Sequence, residues 1–263
     1  MFLSRRSLIA TGVLAGGAVA PAIAAVTAGR RASVTEGLPV AVRQELARRQ
    51  CSLAMSRYET YLSMARLQKA LDQFALGQPD VQADVGFGLY YGPQSVRKLF
   101  LEVHRIMEGD AATHTQKSGA TYLLANTTEI IEVAEDLKTA QGLWLCPTLS
   151  TPGSAETGFS ARTGYAHRAA DFIFEDGRWK LWHYIVLGLA SAPVGKSWTD
   201  PDVVAANQVD RFAWIPRELK PDSPPAAGVG AQGGWRPDRP VIDISVPEPY
   251  RTFAESFSYG REP

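Results

Sequence analysis

The sequence has no excess of charge of either sign and very little cysteine. Its 263 residues include 27 lysines and arginines against 27 aspartates and glutamates. Nucleic acids and anionic membranes attract chains with a strong positive balance, so the composition favours neither as a partner. Cysteine is limited to Cys51 and Cys146, too few for a disulfide framework or a cysteine metal site, and we expect two buried thiols.

Motifs that bind cofactors are also absent from the sequence. The chain contains no phosphate-binding loop, no metal-ligand cluster, no glycine-rich dinucleotide turn and no nucleophile elbow. We therefore expect a protein that uses no cofactor and no metal ion.

The N-terminal residues have the pattern of an export signal. Residues 4–9, Ser-Arg-Arg-Ser-Leu-Ile, precede a run of small apolar residues that ends at Ala24. This pattern predicts a twin-arginine signal peptide over residues 1–24, followed by a linker over 25–42. The apolar run of about fifteen residues is short for a membrane span. An uncleaved anchor is the alternative; after cleavage we expect a periplasmic or secreted protein without stable membrane association.

A β-hairpin is predicted around Asp176-Gly177, within residues 171–187. Two runs rich in β-branched and aromatic residues flank this dipeptide, and both of its positions tolerate positive φ. Alternate residues of a strand share a face. We therefore expect one face of the second strand to carry His183 among apolar groups, with Trp179, Leu181 and Ile185.

The segments upstream predict helices first and a long antiparallel meander afterwards. Apolar spacing, including Leu46 and Leu53, predicts a helix over 42–62, and two further helices are predicted over 67–74 and from Gly92-Pro93 onward, with Ile106 in the apolar stripe and His104 flanking it. Strands are predicted over 80–83, 87–91, 120–134, 139–149 and 164–174. This order indicates an α+β domain over residues 43–198.

The last hairpin, with its Asp-Gly-Arg-Trp and Lys-Leu-Trp-His residues, resembles that of the SnoaL-like branch of the nuclear transport factor 2-like superfamily. The segment from Gly88 to Gly92, followed by a helix, is a second similar feature. The resemblance implies a cone-shaped, curved antiparallel sheet packed with N-terminal helices, whose open end holds a small apolar ligand. It also implies proton-transfer chemistry without a cofactor, as in dehydratases and in the similar diarylpropane formaldehyde lyases.

The resemblance also suggests site residues, although part of the family's dehydratase set is missing. Tyr58 is similar to a cavity tyrosine of scytalone dehydratase and bile-acid 7α-dehydratase, but Ser63 stands where those enzymes have an aspartate. The positions matching a family histidine and acid hold Asn126 and Thr148. The alternative interpretation of Tyr58 is an ordinary core residue.

The predicted catalytic group is a neutral His183 acting as base, with Tyr58 as a hydrogen-bond donor. His167 and Asp171 lie four apart on one strand, share a face and form the next pair to consider, unless that face is exposed to solvent. The expected substrate-binding residues are Asn126, Trp144, Trp179, Leu181 and Tyr91.

The C-terminal residues 199–263 combine a Pro/Gly-rich stretch with many aromatic residues, which a purely disordered tail would lack. We predict an extended arm that packs over its own sheet or over a neighbouring subunit of a homo-oligomer, a dimer or trimer. The function expected from the resemblance is a cofactor-independent lyase acting on a small hydrophobic, aromatic or lignin-derived alcohol. The alternatives are an exported, non-catalytic binding protein for an apolar molecule and a structural subunit.

Overall fold

The structure is a computed structural model that describes residues 37–113, 119, 121–154, 158–207, 213–225, 235–238 and 243–263. The predicted signal peptide and most of the predicted linker lie outside these residues. Residues 40–263 belong to one structural unit. Among the described residues, every helix is too short or too polar to span a bilayer.

Helix α1 (Val40–Ser63) confirms the first predicted helix but not its predicted buried face. Leu46 and Leu53 are 40% and 39% exposed. The buried stripe consists of Ala47, Cys51, Ala54, Met55, Tyr58 and Leu62. Because its first members are small, the helix packs closely against the sheet and turns its larger leucines outward.

The remaining helices are short, except for α3. Helix α2 spans Leu67–Leu71. Helix α3 begins as α-helix over Gly92–Lys98, continues as a π-helical turn over Leu99–His104 and ends as α-helix over Arg105–Glu108. Helix α4 spans Pro201–Asn207. Short 3₁₀ turns cover Ala111–Thr113, Arg217–Leu219 and Phe253–Glu255.

Seven strands form one curved sheet in the order β2-β1-β9-β8-β5-β3, with β4 also paired to β5. The strands of this sheet are β1 (Gln82–Val85), β2 (Gly88–Tyr91), β3 (Thr121–Leu124), β4 (Thr127–Val133), β5 (Thr139–Thr151), β8 (Arg162–Glu175) and β9 (Arg178–Pro193). A separate two-stranded sheet joins β6 (Gly153–Ser154) to β7 (Gly158–Phe159). The predicted α+β class is confirmed.

Two details of the predicted sheet are wrong. Strand β1 pairs with β9 in parallel, so the sheet is mixed rather than antiparallel throughout. The single strand predicted over 120–134 is two strands, because the chain leaves the ladder at Ala125 and Asn126. The hairpin turn is confirmed: Asp176 and Gly177 have φ of 52° and 75°, and Glu175 pairs with Arg178.

The sheet has an inner face, which packs against the helices, and an outer face opposite to it. On the inner face, Phe172, Leu181 and Tyr184 join the helices in one hydrophobic core. On the outer face, Ala169 and Ile185 belong to a smaller cluster that contacts the C-terminal residues.

A β-bulge at Trp182 decides which face His183 occupies. Asp171 pairs with His183 and Phe172 pairs with Leu181, so Trp182 is an extra residue in β9. Such an insertion breaks strict alternation along a strand. Leu181 and Tyr184 therefore both lie on the inner face, and His183 lies on the outer one. The predicted common face of Trp179, Leu181 and His183 is wrong for this reason.

The C-terminal strap, residues 243–263, crosses the outer face of its own sheet, one of the two arrangements left open by the sequence. The Tyr250 hydroxyl contacts the Thr139 hydroxyl at 3.2 Å, and the Phe253 ring lies 4.8 Å from that of Trp182. The arm is not extended throughout, because it includes α4. Trp214 of the arm is 42% exposed, and Phe212 lies outside the described residues.

Candidate functional site

Four polar side chains form a buried row across the outer face. Gln82, His183, Asp171 and Gln141 stand side by side on β1, β9, β8 and β5. None is more than 5% exposed. A buried polar group needs hydrogen-bond partners to offset the water it loses, and the strap supplies many of them.

Different residues of the strap form hydrogen bonds with different members of this row. One oxygen of Asp171 accepts hydrogen bonds from the Ser258 hydroxyl at 2.7 Å and the Tyr259 amide at 2.9 Å, and lies 2.7 Å from His183 Nδ1. Ser256 donates to Gln141 at 2.8 Å, and the Arg261 amide donates to Gln82 at 3.0 Å. The row is therefore the docking surface of the strap.

Ser258, His183 and Asp171 do not have the geometry of a nucleophilic triad. In a triad, serine and carboxylate occupy opposite ring nitrogens of the histidine. Here both face Nδ1, with Ser258 Oγ at 3.1 Å, while Nε2 lies 3.8 Å from a carboxylate oxygen of Asp80. Because Ser258 donates its proton to Asp171, the serine is held as a structural donor.

The structure does not bring the predicted catalytic residues together. Tyr58 lies on the inner face, where its ring is 5.1 Å from that of Tyr184, so the sheet separates it from His183. His167 shares the outer face with Asp171 and His183, but the two predicted partners lie four residues apart on one strand, about 13 Å at the usual rise of a strand, which is too far for a direct pair. These placements correct the predicted site.

The predicted substrate-binding residues are also divided between the two faces. Trp144, Trp179 and Leu181 are buried in the inner core, where Trp144 donates to Glu129 at 2.9 Å. Tyr91 pairs with Gln82 and lies on the outer side of the sheet. Asn126 lines a pocket.

This pocket lies between α1 and β3 and has a volume of about 230 Å³. Its lining consists of Ser56, Glu59, Thr60, Ser63, Leu123, Leu124, Ala125 and Asn126. The helix contributes hydroxyls and one carboxylate, whereas the strand contributes mainly apolar side chains. The pocket therefore offers a polar wall and an apolar wall to a small molecule.

Glu59, in the wall of this pocket, forms an ion pair with Arg168 of β8, and their side chains are 12% and 1% exposed. Arg168 also donates to the Asn126 side-chain oxygen at 3.4 Å, and its guanidinium lies 6.0 Å from the centre of the Tyr184 ring. Glu59 and Asn126 thus connect the pocket to the buried charge of the inner face. Neither Glu59 nor Arg168 was predicted from the sequence.

Burial controls the ionisation of this inner group. Burial raises the pKa of Glu59, and the positive charge of Arg168 opposes that rise. Burial also raises the pKa of Tyr58 and Tyr184, so both keep their phenolic protons and stay hydrogen-bond donors. Arg168 Nε makes no hydrogen bond of ordinary geometry with any described residue. Inside a protein such groups are available to a ligand or to water.

A second ionisable pair lies on α3, where His104 Nδ1 is 2.9 Å from a Glu108 carboxylate oxygen. His104 is 5% exposed, which corrects its predicted flanking position. Its spacing of four residues from Glu108 on a helix was a visible signal in the sequence.

The sequence signals for Glu59 and Arg168 were weaker. Glu59 is a charged residue beside the buried Tyr58, and Arg168 is an arginine that alternates with Ala166 and Ala170.

The thiols are buried, as predicted, and both are free. Burial raises the pKa of Cys51 well above its usual value and that of Cys146 to about 11, so neither is a ready nucleophile. Among the described residues, no group of three or more His, Cys, Asp or Glu side chains is arranged to hold a metal ion.

No protein-family model and no curated protein sequence matches the chain. Solved structures are similar to it in fold. A hexachlorocyclohexane dehydrochlorinase, LinA type 2, is 18% identical over 60% of this chain and 96% of its own, with a TM-score of 0.45. A protein of unknown function from Pseudomonas putida KT2440, described as NTF2-like, is 13% identical over 56% of this chain and 89% of its own, with a TM-score of 0.40.

An NTF2-like protein with a cystatin-like fold from Novosphingobium aromaticivorans is 14% identical over 73% of this chain and all of its own, with a TM-score of 0.39. At these identities and TM-scores, the likeness supports no conclusion about the activity or the ligands of this chain.

Proposed function

We propose that the protein is a cofactor-independent lyase that removes a proton from a small, largely hydrophobic substrate, with Glu59 as the base. The observation that carries the proposal is a carboxylate that is both nearly buried and part of a pocket wall. Because burial raises its pKa, Glu59 is a stronger base than an exposed glutamate.

The other inner residues have supporting roles in this proposal. Arg168 holds the Glu59 carboxylate in place, and Asn126 lines the pocket beside it. Ser56 and Thr60 contribute hydroxyls to the pocket wall, where they can donate to a leaving hydroxyl group. His183, His167 and Asp171 have no part in the proposed chemistry, because the sheet lies between them and the pocket.

The size and the walls of the pocket limit the class of substrate that we propose. Its volume of about 230 Å³ is below the range of about 300–1,000 Å³ usual for drug-sized ligands. A single-ring aromatic alcohol is therefore a better candidate than a two-ring lignin-derived diarylpropane. Its ring would face Leu123 and Leu124, and its hydroxyl would face Ser56 and Thr60.

Twin-arginine export and homo-oligomer assembly are further proposals that rest on the sequence.

The test measures whether the purified full chain converts a panel of single-ring aromatic alcohols and diarylpropane diols. The products are identified by mass. Glu59→Gln should lower the rate by about a hundred- to ten-thousand-fold. Glu45→Gln, on the same helix with a side chain 66% exposed, is the matched control and should keep the wild-type rate. A Glu59→Gln variant with the wild-type rate would overturn the role of Glu59.

A non-catalytic binding protein is the competing outcome of the same experiment. It is favoured by one observation, the ion pair that already engages Glu59 with Arg168. In that case, calorimetry would show wild type binding an alcohol of the panel, and mass analysis would find no product.

A further inference from the structure

Asn126 lies at a break in the sheet, between the pocket and the buried charge of the inner face. The chain leaves the ladder at Ala125 and Asn126, between β3 and β4. The side chain of Asn126 reaches Arg168 on β8 and Cys146 on β5, and the residue also lines the pocket. One side-chain amide therefore connects a buried cluster to a cavity.

The chemistry of its two buried neighbours fixes which way the Asn126 amide faces. Arg168 Nη1 lies 3.4 Å and Cys146 Sγ lies 3.5 Å from the Oδ1 atom of Asn126. A guanidinium has only donors, so the atom that faces it must be the amide oxygen. Burial raises the pKa of the Cys146 thiol to about 11, which keeps its proton in place as a second donor. The carbonyl end of the amide is therefore engaged by the protein itself.

The amino end of the same amide is left for a ligand. Among the described residues, none accepts a hydrogen bond from Asn126 Nδ2. Nor is this nitrogen one of the enclosed atoms that lack a partner, so it is accessible to a molecule in the pocket. An amide nitrogen has two hydrogens to donate and does not accept. Asn126 therefore presents a donor, and only a donor, to the pocket.

The other polar groups of the pocket make this donor distinctive. The hydroxyls of Ser56 and Thr60 can donate or accept, and the Glu59 carboxylate, when charged, only accepts. A ligand hydroxyl can pair with any of these groups by turning its hydrogen. An ether or carbonyl oxygen has no hydrogen, so the carboxylate repels it and the Asn126 amide matches it. The pocket therefore offers one position for a hydroxyl and another for an oxygen without hydrogen.

We propose that Asn126 determines the specificity of the pocket by donating an Nδ2 hydrogen to a ligand oxygen that carries no hydrogen of its own. The inference rests on the proposed function, since it takes the pocket to be the substrate site. It narrows the substrate to a single-ring alcohol with a second oxygen, present as an ether or a carbonyl. The hold of Arg168 and Cys146 on the amide oxygen maintains the orientation that this recognition needs.

The test compares the calorimetric binding of two alcohols of nearly the same shape to the full chain. They are para-methoxybenzyl alcohol and para-ethylbenzyl alcohol, in which a methylene replaces the ether oxygen. The readout is the ratio of their dissociation constants, so a change in the pocket that affects both ligands equally cancels. One hydrogen bond is expected to contribute about three- to tenfold in affinity. In Asn126→Leu, which removes the donor, the ratio should shift by that factor toward the ethyl compound.

Asn126→Asp is the more specific variant, because it keeps an oxygen for Arg168 and Cys146 but replaces the donor by an acceptor. It should shift the ratio in the same direction and by at least as much. Gln68→Leu, which removes an exposed amide on α2 outside the pocket, is the matched control and should keep the wild-type ratio.

An unchanged ratio in the Asn126 variants would overturn the inference, and so would a wild type that binds neither alcohol. If the variants do not fold, wild type decides: it should bind the methoxy compound at least as tightly, and a preference for the more apolar ethyl compound contradicts the inference. Selective binding without any product would overturn the proposed lyase and support this inference. Turnover with an unchanged ratio would do the reverse.

Discussion

The buried row under the strap and the buried group around Glu59 lie on opposite faces of one sheet, and they differ in how their polar side chains are satisfied. On the outer face, none of the buried side-chain nitrogens and oxygens of Gln82, His183, Asp171 and Gln141 lacks a hydrogen-bond partner among the described residues. In the group around Glu59, Arg168 Nε lacks one among the described residues, and Glu59 reaches a pocket. A fully satisfied polar network holds structure together, whereas an incompletely satisfied one beside a cavity is a candidate site.

The comparison also shows that residue types are poor guides to function. The outer face contains the serine, histidine and aspartate that would attract attention in a sequence, and they fasten the strap. The inner face contains a glutamate, an arginine and tyrosines, a less familiar set. Four substitutions or measurements can break or sharpen this contrast.

The largest expected effect is the loss of Asp171. In Asp171→Ala, the donors from Ser258, Tyr259 and Gln141 lose their acceptor, and His183 loses its partner. Each buried donor left unsatisfied costs about 1–3 kcal/mol, so the free energy of unfolding should fall by roughly 5 kcal/mol. Urea denaturation measures it. Glu255→Gln, which removes an exposed ion pair on the strap, should change stability by about 1 kcal/mol or less.

Next is the ion pair of the inner face. Arg168→Met leaves the Glu59 carboxylate without its cation and should lower the unfolding free energy by about 3–4 kcal/mol. The double variant Glu59→Leu with Arg168→Met removes both charges and should recover most of that loss while turnover stays absent. If the double variant lost as much free energy of unfolding as the two single variants together, the inner ion pair would be needed for folding. Arg251→Met, at the exposed ion pair of the strap, is the matched control.

A smaller effect is expected at Gly260 in the strap. A Cβ added there would lie 2.7 Å from Cγ of His183 and 3.0 Å from Nε2 of Gln82. Gly260→Ala should therefore displace the strap and lower stability by about 1–3 kcal/mol, with little change in turnover. Gly37→Ala, where the added carbon meets nothing within 4 Å, reports the effect of the substitution on the unfolded chain. Equal stability of the two variants would contradict close packing of the strap.

The smallest expected effect is the pH dependence contributed by Glu59. Its pKa in the folded protein lies above the ordinary value of 4.5, so the folded state binds the proton more tightly than the unfolded state. The stabilisation is fully present below pH 4.5 and is lost as the pH rises through the folded pKa. Compared with Glu59→Gln, wild type should lose stability as the pH increases above this value. A constant difference between the two urea series would contradict the raised pKa.

Local patterns predicted the fold better than the site. The turn at Asp176-Gly177, the first helix and the order of elements follow from signals within a few residues of each other. The predicted face of His183 failed because one extra residue in β9 changes the alternation, and a bulge has no clear signal in a single sequence. The buried side of α3 failed similarly, because the π-helical turn changes the period of the helix.

The Glu59–Arg168 pair could not be predicted for a different reason. Its members lie on α1 and β8, and only the register of β8 against its neighbours turns Arg168 toward the helix. Such a non-local contact requires the assembled sheet. The strap contacts are of the same kind, since a Pro/Gly-rich stretch separates the aromatic end of the chain from the sheet in sequence.

The bulge at Trp182 has a consequence for comparing related chains. A relative with the same number of residues between the Asp-Gly turn and the histidine, but with a regular strand in place of the bulge, would direct that histidine toward the helices and its tyrosine neighbour outward. An alignment that keeps the two histidines in one column would then equate residues from opposite sides of the sheet. The pairing register of the last two strands, rather than the presence of the histidine, therefore distinguishes homologues whose imidazole faces the helices from those whose imidazole fastens a C-terminal segment.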